Sequence, residues 1–315
     1  MKDVKLIMTV EQMKDRDAWL RLRTLGIGGS DAGIIAGLNR WKSPFQLWLE
    51  KTGQEEPKEL ENNEYIYWGR VLESAVAQRF MEETGKQVRK QGMLQNKTYP
   101  WMLANVDRMI VGEDAGLECK TTNSFAGKEW DGDTLPDAYY VQCQHYMMVT
   151  GTSRWYIACL IGGNHYVQKT IERNEEDIRA LFALEQKFWI ENVQQNKMPP
   201  VDGSTDCRTA LQQRFSQTNG DAVTPLSEKV ARLVTELQAF KDGEKKTKEQ
   251  IKKLENQICV ALGSYEIGEL PDGHKISWKT QAGRTTVDSK KLKEELPDVY
   301  KKYSKIGKPI RVLRV

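Results

Sequence analysis

Cysteine is scarce in this chain and spaced wrongly for structural chemistry. The 315 residues hold five, Cys119, Cys143, Cys159, Cys207 and Cys259, an odd number with no Cys-x-x-Cys pair. That disfavours a disulfide framework, a zinc ribbon and an iron–sulfur cluster. Histidine is rarer still, and His145, His165 and His274 form no metal-ligand spacing of their own. No apolar run approaches the roughly 18 residues of a membrane span, and the opening residues spread their charges without an apolar signal core. Internal repeats and low-complexity segments are absent as well. These absences predict a cytoplasmic protein of a reducing compartment, with no membrane partner.

The composition, 39% hydrophobic and 29% charged, suffices for a packed core and for one to two domains. The net charge of +3 is unevenly placed: residues 241–315 carry +7 and the remainder −4. A basic end suits a polyanionic partner, but a lysine-rich solvated helix face explains it equally well.

Helical signals come first. Thr9 and Gln12 have the spacing of a capping box for a helix over 9–24. Ser30 is placed to cap a short helix through Gly37, while Ser43-Pro44 opens a helix that stops at Gly53. A longer helix is predicted over 65–83, closed by Gly85. Alternating β-rich stretches follow at 86–94, 101–111 and 115–122. A helix over 137–150 leads to strands at 154–161 and 165–172, and a helix runs from Asn174 to about Gln195. This order predicts an α/β (α+β) core over 1–200. Residues 201–225 read as a turn-rich linker. Residues 226–315 read as a helical hairpin bent at Lys241-Asp-Gly243, with a small α/β end whose partner-binding or oligomerisation role is open.

The chemistry concentrates in the segment Asp107 to Lys120. One strand ends at Asp107, a Gly- and Asp-rich turn reverses the chain, and Glu118-Cys119-Lys120 lies on the next strand. Residues two apart on a strand share a face, so Glu118 and Lys120 point together while Leu117 and Cys119 take the apolar face. A hairpin return can add Asp107. Two carboxylates form a hard oxygen site suited to Mg²⁺ or Mn²⁺, and the lysine can orient or deprotonate water or stabilise phosphate charge. Alone, the pattern also fits a solvated surface hairpin.

Further segments carry a resemblance: Arg23-Thr-Leu-Gly-Ile-Gly-Gly-Ser30, Trp68-Gly-Arg-Val-Leu-Glu73, and Gln142-Cys-Gln-His-Tyr146. In that order, around Asp107 and Glu118-x-Lys120, they resemble the PD-(D/E)xK nuclease superfamily, specifically its lambda-exonuclease-like, YqaJ-type viral recombinase family. The likeness covers about residues 18–200. It departs at Asn105-Val106, where the superfamily name leads one to expect a proline.

The resemblance implies a restriction-endonuclease-like core, a central mixed β-sheet flanked by helices, with a C-terminal helical extension. It implies that Asp107 and Glu118 bind Mg²⁺ (Mn²⁺ substituting), with the Cys119 backbone carbonyl as a further ligand. Lys120 is then the water-activating or charge-stabilising cation, and Glu73 sits near a second metal or the nucleophilic water. Gln142 holds Lys120 or water, Tyr146 completes its motif, and Arg23 and Ser30 receive a DNA 5′ phosphate. The activity implied is a 5′→3′ double-strand exonuclease acting on DNA ends for recombination, with a single-strand annealing protein as partner and a homo-trimer as assembly. An endonuclease on the same scaffold and a non-catalytic DNA-binding module are the alternatives.

Overall fold

The structure is a computed structural model that describes residues 3–57, 63–220, 222–307 and 311–315. It divides into two compact units, Met1–Arg214 and Phe215–Val315.

The first unit opens with strand β1 (Val4–Met8). The Thr9 and Gln12 side chains do exchange hydrogen bonds with each other's backbone N–H, at 3.2 and 2.8 Å. They open only a 3₁₀ turn, Gln12–Lys14, because Asp15 offers a second N-cap by accepting from Ala18 N at 3.0 Å. Helix α1 therefore covers Arg16–Thr24, and the single helix expected over 9–24 is split. Helices α2 (Gly29–Ile35), α3 (Pro44–Lys51) and α4 (Glu64–Thr84) follow. Ser43 caps α3 as expected, and Gly85 ends α4 in the left-handed conformation at φ 69°. Ser30 does not cap α2. Gly28 takes that place, its N–H satisfied by the Asp31 carboxylate at 3.0 Å, which leaves the Ser30 hydroxyl for other partners.

Strands β2 (Val88–Lys90), β3 (Met93–Asn96), β4 (Leu103–Ala104), β5 (Arg108–Ile110) and β6 (Ala115–Thr122) come next. Helix α5 (Asp137–Thr150) then leads to β7 (Arg154–Ile161) and β8 (His165–Glu172). The stretches expected as single strands over 86–94 and 101–111 are each shared between two sheets, ordered β1-β3-β4 and β2-β5-β6-β7-β8. In the larger sheet β6 and β7 run parallel and the other neighbours antiparallel, so the sheet is mixed. Helix α5 is the crossover that parallel strands require.

Side-chain alternation gives each face of this sheet one helix. Leu117, Tyr156 and Ala158 pack with Val76, Ala77 and Phe80 of α4. Trp155, Ile157 and Cys159 pack with Cys143, Tyr146 and Met147 of α5. The central mixed sheet flanked by helices matches the expectation. Gly116 is fixed by the same packing: a Cβ there would lie 2.2 Å from the ring of Trp155.

Helix α6 (Glu175–Lys187) continues as a π-helix over Phe188–Gln194. The stretch 201–225, expected to be a linker, contains helix α7 (Thr205–Arg214). Its Cys207 and Ala210 are buried with Phe45, Leu47 and Trp48, and Asp206 accepts from both the N–H and the hydroxyl of Ser43 at 2.8 Å. Two small apolar residues in a polar helix leave little periodicity to read, and the first unit accordingly runs past residue 200 to Arg214.

In the second unit helix α8 (Glu228–Leu262) is continuous, where a hairpin bent near Gly243 was expected. A helical glycine costs about 1 kcal/mol, which weakens a helix without breaking it. Lys248 also pairs with Glu244 one turn back, at 2.6 Å. A two-stranded sheet of β9 (Ile267–Glu269) and β10 (Lys275–Ser277) follows, then α9 (Ser289–Glu295) and α10 (Pro297–Tyr303). Among the described residues no helix is long and apolar enough to cross a membrane.

Candidate active site

Glu118 and Lys120 project from β6 toward α5, on the face opposite Leu117. Glu118 is buried, and its Oε1 accepts from Lys120 Nζ and from Gln142 Nε2, each at 2.6 Å. Lys120 Nζ also donates to Gln142 Oε1 at 3.1 Å, closing a three-residue ring. Gln142 Nε2 reaches the Tyr146 hydroxyl at 2.8 Å, and that hydroxyl donates to the Asn105 carbonyl at 3.1 Å. The Gln-x-x-x-Tyr spacing thus sets both side chains one helical turn apart on the face of α5 that meets the sheet. Tyr146 links that face to the turn before Asp107. The ring of Tyr139 lies 4.6 Å from the Lys120 ammonium.

Asp107 joins from the bend just before β5, not from the end of a strand as expected, its Oδ2 accepting from Cys119 N at 2.7 Å. Glu73 approaches from α4 and pairs at 2.5 Å with Arg108 Nη1, which also donates to the Asp107 carbonyl at 2.7 Å. All five residues expected in the centre, Asp107, Glu118, Lys120, Glu73 and Gln142, are therefore gathered around the end of β6. Arg108 escaped the sequence reading. Its one signal is a charged residue within the otherwise apolar strand Arg108–Ile110.

The electrostatics of this cluster call for a cation. Burial raises the Asp107 carboxyl well above its ordinary value, and the negative charges of Glu118 and Glu73 raise it further. Burial would lower Lys120, but Glu118, Tyr139 and Asp107 outweigh it and hold the ammonium protonated. Glu118 Oε2 is buried without a hydrogen-bond partner. Among the described residues no group of three or more His, Cys, Asp or Glu side chains is placed to hold a metal ion. An open pair of carboxylates with an unsatisfied oxygen is what a hard divalent cation that retains waters requires. The chemistry of this pair fits such an ion, and Asp107 and Glu118 are the side chains that could hold it.

The segment Arg23–Ser30 borders this cluster. A Cβ on Gly29 would fall 2.5 Å from the Tyr146 ring and 3.0 Å from Gln142 Cγ, so α2 lies directly on the Gln142–Tyr146 face. Arg23 Nη2 donates to Ser30 Oγ at 3.0 Å, and its guanidinium lies 4.6 Å from the Trp19 ring. Trp19 Nε1 in turn donates to Asn105 Oδ1 at 3.2 Å.

Over residues 18–153 the sequence matches the model of the YqaJ-like viral recombinase domain. It is also 42% identical over 293 residues to the uncharacterized protein YqaJ of Bacillus subtilis (strain 168), covering 92% of this chain and 91% of that one. The chain belongs to the YqaJ-like viral recombinase family. Among solved structures, LHK-Exo in complex with dAMP is similar at TM-score 0.49 and 19% identity, over 57% of this chain and 93% of that one. A phage-related exonuclease from Haemophilus somnus 129PT is similar at TM-score 0.43 and 13% identity, over 55% and 97%. Membership of the YqaJ-like family supports a nuclease, and with it a divalent metal.

Two buried ion pairs that sequence reasoning missed brace this YqaJ-like site. His145 is wholly buried, with Nδ1 2.8 Å from Glu185 and Nε2 2.9 Å from the Leu103 carbonyl. Burial would lower its pKa, but the Glu185 carboxylate and that carbonyl raise it. Lys51 pairs with Asp31 at 2.7 Å. Burial would raise the Asp31 carboxyl; Lys51, then Arg23 and the Gly28 N–H, overcome this and hold its pKa at about 2, below the ordinary 3.8.

A carboxyl depressed on folding contributes stability above its unfolded pKa and loses it as pH falls through the folded one. Between pH 5 and pH 2, replacing Asp31 by asparagine therefore costs progressively less. The gap in unfolding free energy between wild type and Asp31→Asn should narrow by about 2 kcal/mol across that window. Urea titrations at each pH measure it. A gap that stays constant would mean that folding leaves the Asp31 carboxyl unshifted, and a gap that widens as pH falls would mean that Asp31 is protonated in the fold.

Proposed function

We propose that this protein is a divalent-metal-dependent deoxyribonuclease that digests one strand of linear duplex DNA from its 5′ end, exposing single strands for recombination. The observation that carries the reading is the ring of Glu118, Lys120 and Gln142, with Asp107 alongside and one Glu118 oxygen unsatisfied. Asp107, Glu118 and the Cys119 carbonyl are the residues that would hold Mg²⁺, or Mn²⁺ in its place. When bound, the ion supplies Lewis acidity toward a phosphate oxygen and lowers the pKa of a bound water.

The protein's own side chains divide the remaining work. Lys120, held protonated, offers its ammonium to the charge that builds on the phosphate oxygens in the transition state. Gln142 fixes that ammonium against Glu118, and Tyr146 fixes Gln142. Glu73 stands at the edge, available to a second metal or the attacking water and oriented by Arg108.

Arg23 and Ser30 are the donors for a terminal phosphate. A guanidinium backed by an indole ring and paired with a hydroxyl makes charge-assisted hydrogen bonds to a dianionic end. Gly29, next to Ser30, packs on the Gln142–Tyr146 face, which would bring such an end toward the carboxylates. The product, a duplex with a long single-stranded tail, is the substrate of a single-strand annealing protein, which is the partner this reading assigns. A ring-forming homo-trimer is the assembly it assigns.

The test compares 5′-phosphorylated and 5′-hydroxyl linear duplexes. Wild type should favour the phosphorylated end, and Arg23→Ala should reduce that preference about tenfold or more, the worth of one charge-assisted contact, with metal binding unchanged. Equal rates on both ends for wild type would remove Arg23 and Ser30 as an end-phosphate site, and closed circles cut as readily as linear DNA would point instead to an endonuclease on this scaffold.

A further inference from the structure

Lys51 ends α3 with only 5% of its side chain exposed, yet it touches none of the carboxylates of the candidate centre. Its Nζ donates to three acceptors around the loop that joins α1 to α2: the carbonyls of Arg23 at 2.7 Å and Gly26 at 2.6 Å, and Asp31 Oδ2 at 2.7 Å. Burying an ammonium is costly unless its donors are matched this completely, and packing alone would be served by a methionine. The same loop is tied on its other side to the strand leading toward Asp107. There Ile27 N donates to the Trp101 carbonyl at 2.6 Å, and Leu103 N to the Ile27 carbonyl at 2.8 Å.

Asp31 is what makes the lysine consequential. Its Oδ1 lies 4.0 Å from Arg23 Nη2, the group assigned to the terminal phosphate. An ionised Asp31 lacking a cation of its own would draw that guanidinium into a bidentate carboxylate pair and away from incoming DNA. Lys51 forestalls this by occupying the carboxylate from the buried side. We infer that Lys51 is a positioning residue for end recognition: by neutralising Asp31 it keeps the Arg23 guanidinium, beside Ser30, available to a 5′ phosphate. The inference rests on the reading of Arg23 and Ser30 given above.

The experiment measures cleavage of 5′-phosphorylated and 5′-hydroxyl duplex by full-length wild type, Lys51→Met, and the double variant Lys51→Met/Asp31→Asn, with folding followed by thermal melting. Lys51→Met should lower the phosphate preference about tenfold, the size of one charge-assisted contact, while cleavage of the hydroxyl end persists. The double variant removes the pair as a unit and frees Arg23, so its preference should return to within a few-fold of wild type. A merely structural lysine would lower both substrates in proportion and would gain nothing from the second change.

A folded Lys51→Met that keeps the wild-type preference overturns the inference, as does a folded double variant that lacks it. If neither variant folds, Lys51 is a folding residue and the assignment falls. Absence of any preference in wild type would instead overturn the end-phosphate reading itself.

Discussion

Lys120→Ala and Glu118→Gln should each reduce DNA cleavage by about three orders of magnitude, in the range set by removing one preorganised charge from a transition state. The choice of glutamine follows from the structure. A strand face that reads in sequence as an open cleft turns out to bury Glu118 at 3% exposure, inside a hydrogen-bonded ring. Alanine there would leave a cavity and strand Lys120 as a buried cation, mixing a folding defect with a catalytic one. The amide keeps the shape, still accepts a hydrogen bond, and removes the charge. Lys120 is more accessible, with 19% of its side chain exposed, so its truncation costs less packing. Melting curves close to wild type together with lost cleavage are the expected pair of results. Either variant cleaving near the wild-type rate would remove these residues from the chemistry.

Gly116→Val should destabilise the first unit by about 3 kcal/mol or more, at the upper end of core overpacking. Gly116 sits on β6 beside Trp155 of β7, and the space a Cβ would need is filled by the indole ring, which is itself wholly buried. Trp155 packs on Tyr146 with ring centroids 5.1 Å apart. A displaced indole therefore pushes on the tyrosine that orients Gln142, and nuclease activity should fall along with stability. Chemical denaturation followed by circular dichroism reports the midpoint. An unchanged midpoint would mean that the sheet tolerates the bulk and that Trp155 is not fixed by this contact.

Glu118 and Lys120 were legible in sequence because residues two apart on a strand share a face, whereas Glu73, Gln142 and Tyr146 entered only through the family resemblance. The faces of β7 were not legible in this way, because Arg154–Ile161 is a nearly continuous apolar run buried on both sides. What escaped depends on pairs distant in sequence. Arg108 meets Glu73 across 35 residues, Lys51 meets Asp31 across 20, and His145 meets Glu185 across 40. No periodicity encodes such partners; a lone charged residue in an apolar element is the most that a sequence displays. Helix α7 escaped because only Cys207 and Ala210 of its ten residues are buried. The bend expected at Gly243 gave a permissive residue the weight of a breaker. Ser30 was read by residue type as a cap, but Asp31 satisfies the Gly28 N–H and Ser30 is engaged by Arg23.

The most direct measurement incubates the full-length protein with end-labelled linear duplex and with covalently closed circular duplex, each with Mg²⁺ and with excess chelator. A metal-dependent nuclease entering from a 5′ phosphate degrades the linear substrate progressively in Mg²⁺, leaves the closed circle intact, and does nothing in chelator. Linear degradation that persists in chelator would contradict the assignment of Asp107 and Glu118 as metal ligands. Circles cut as readily as linear DNA would contradict entry from an end.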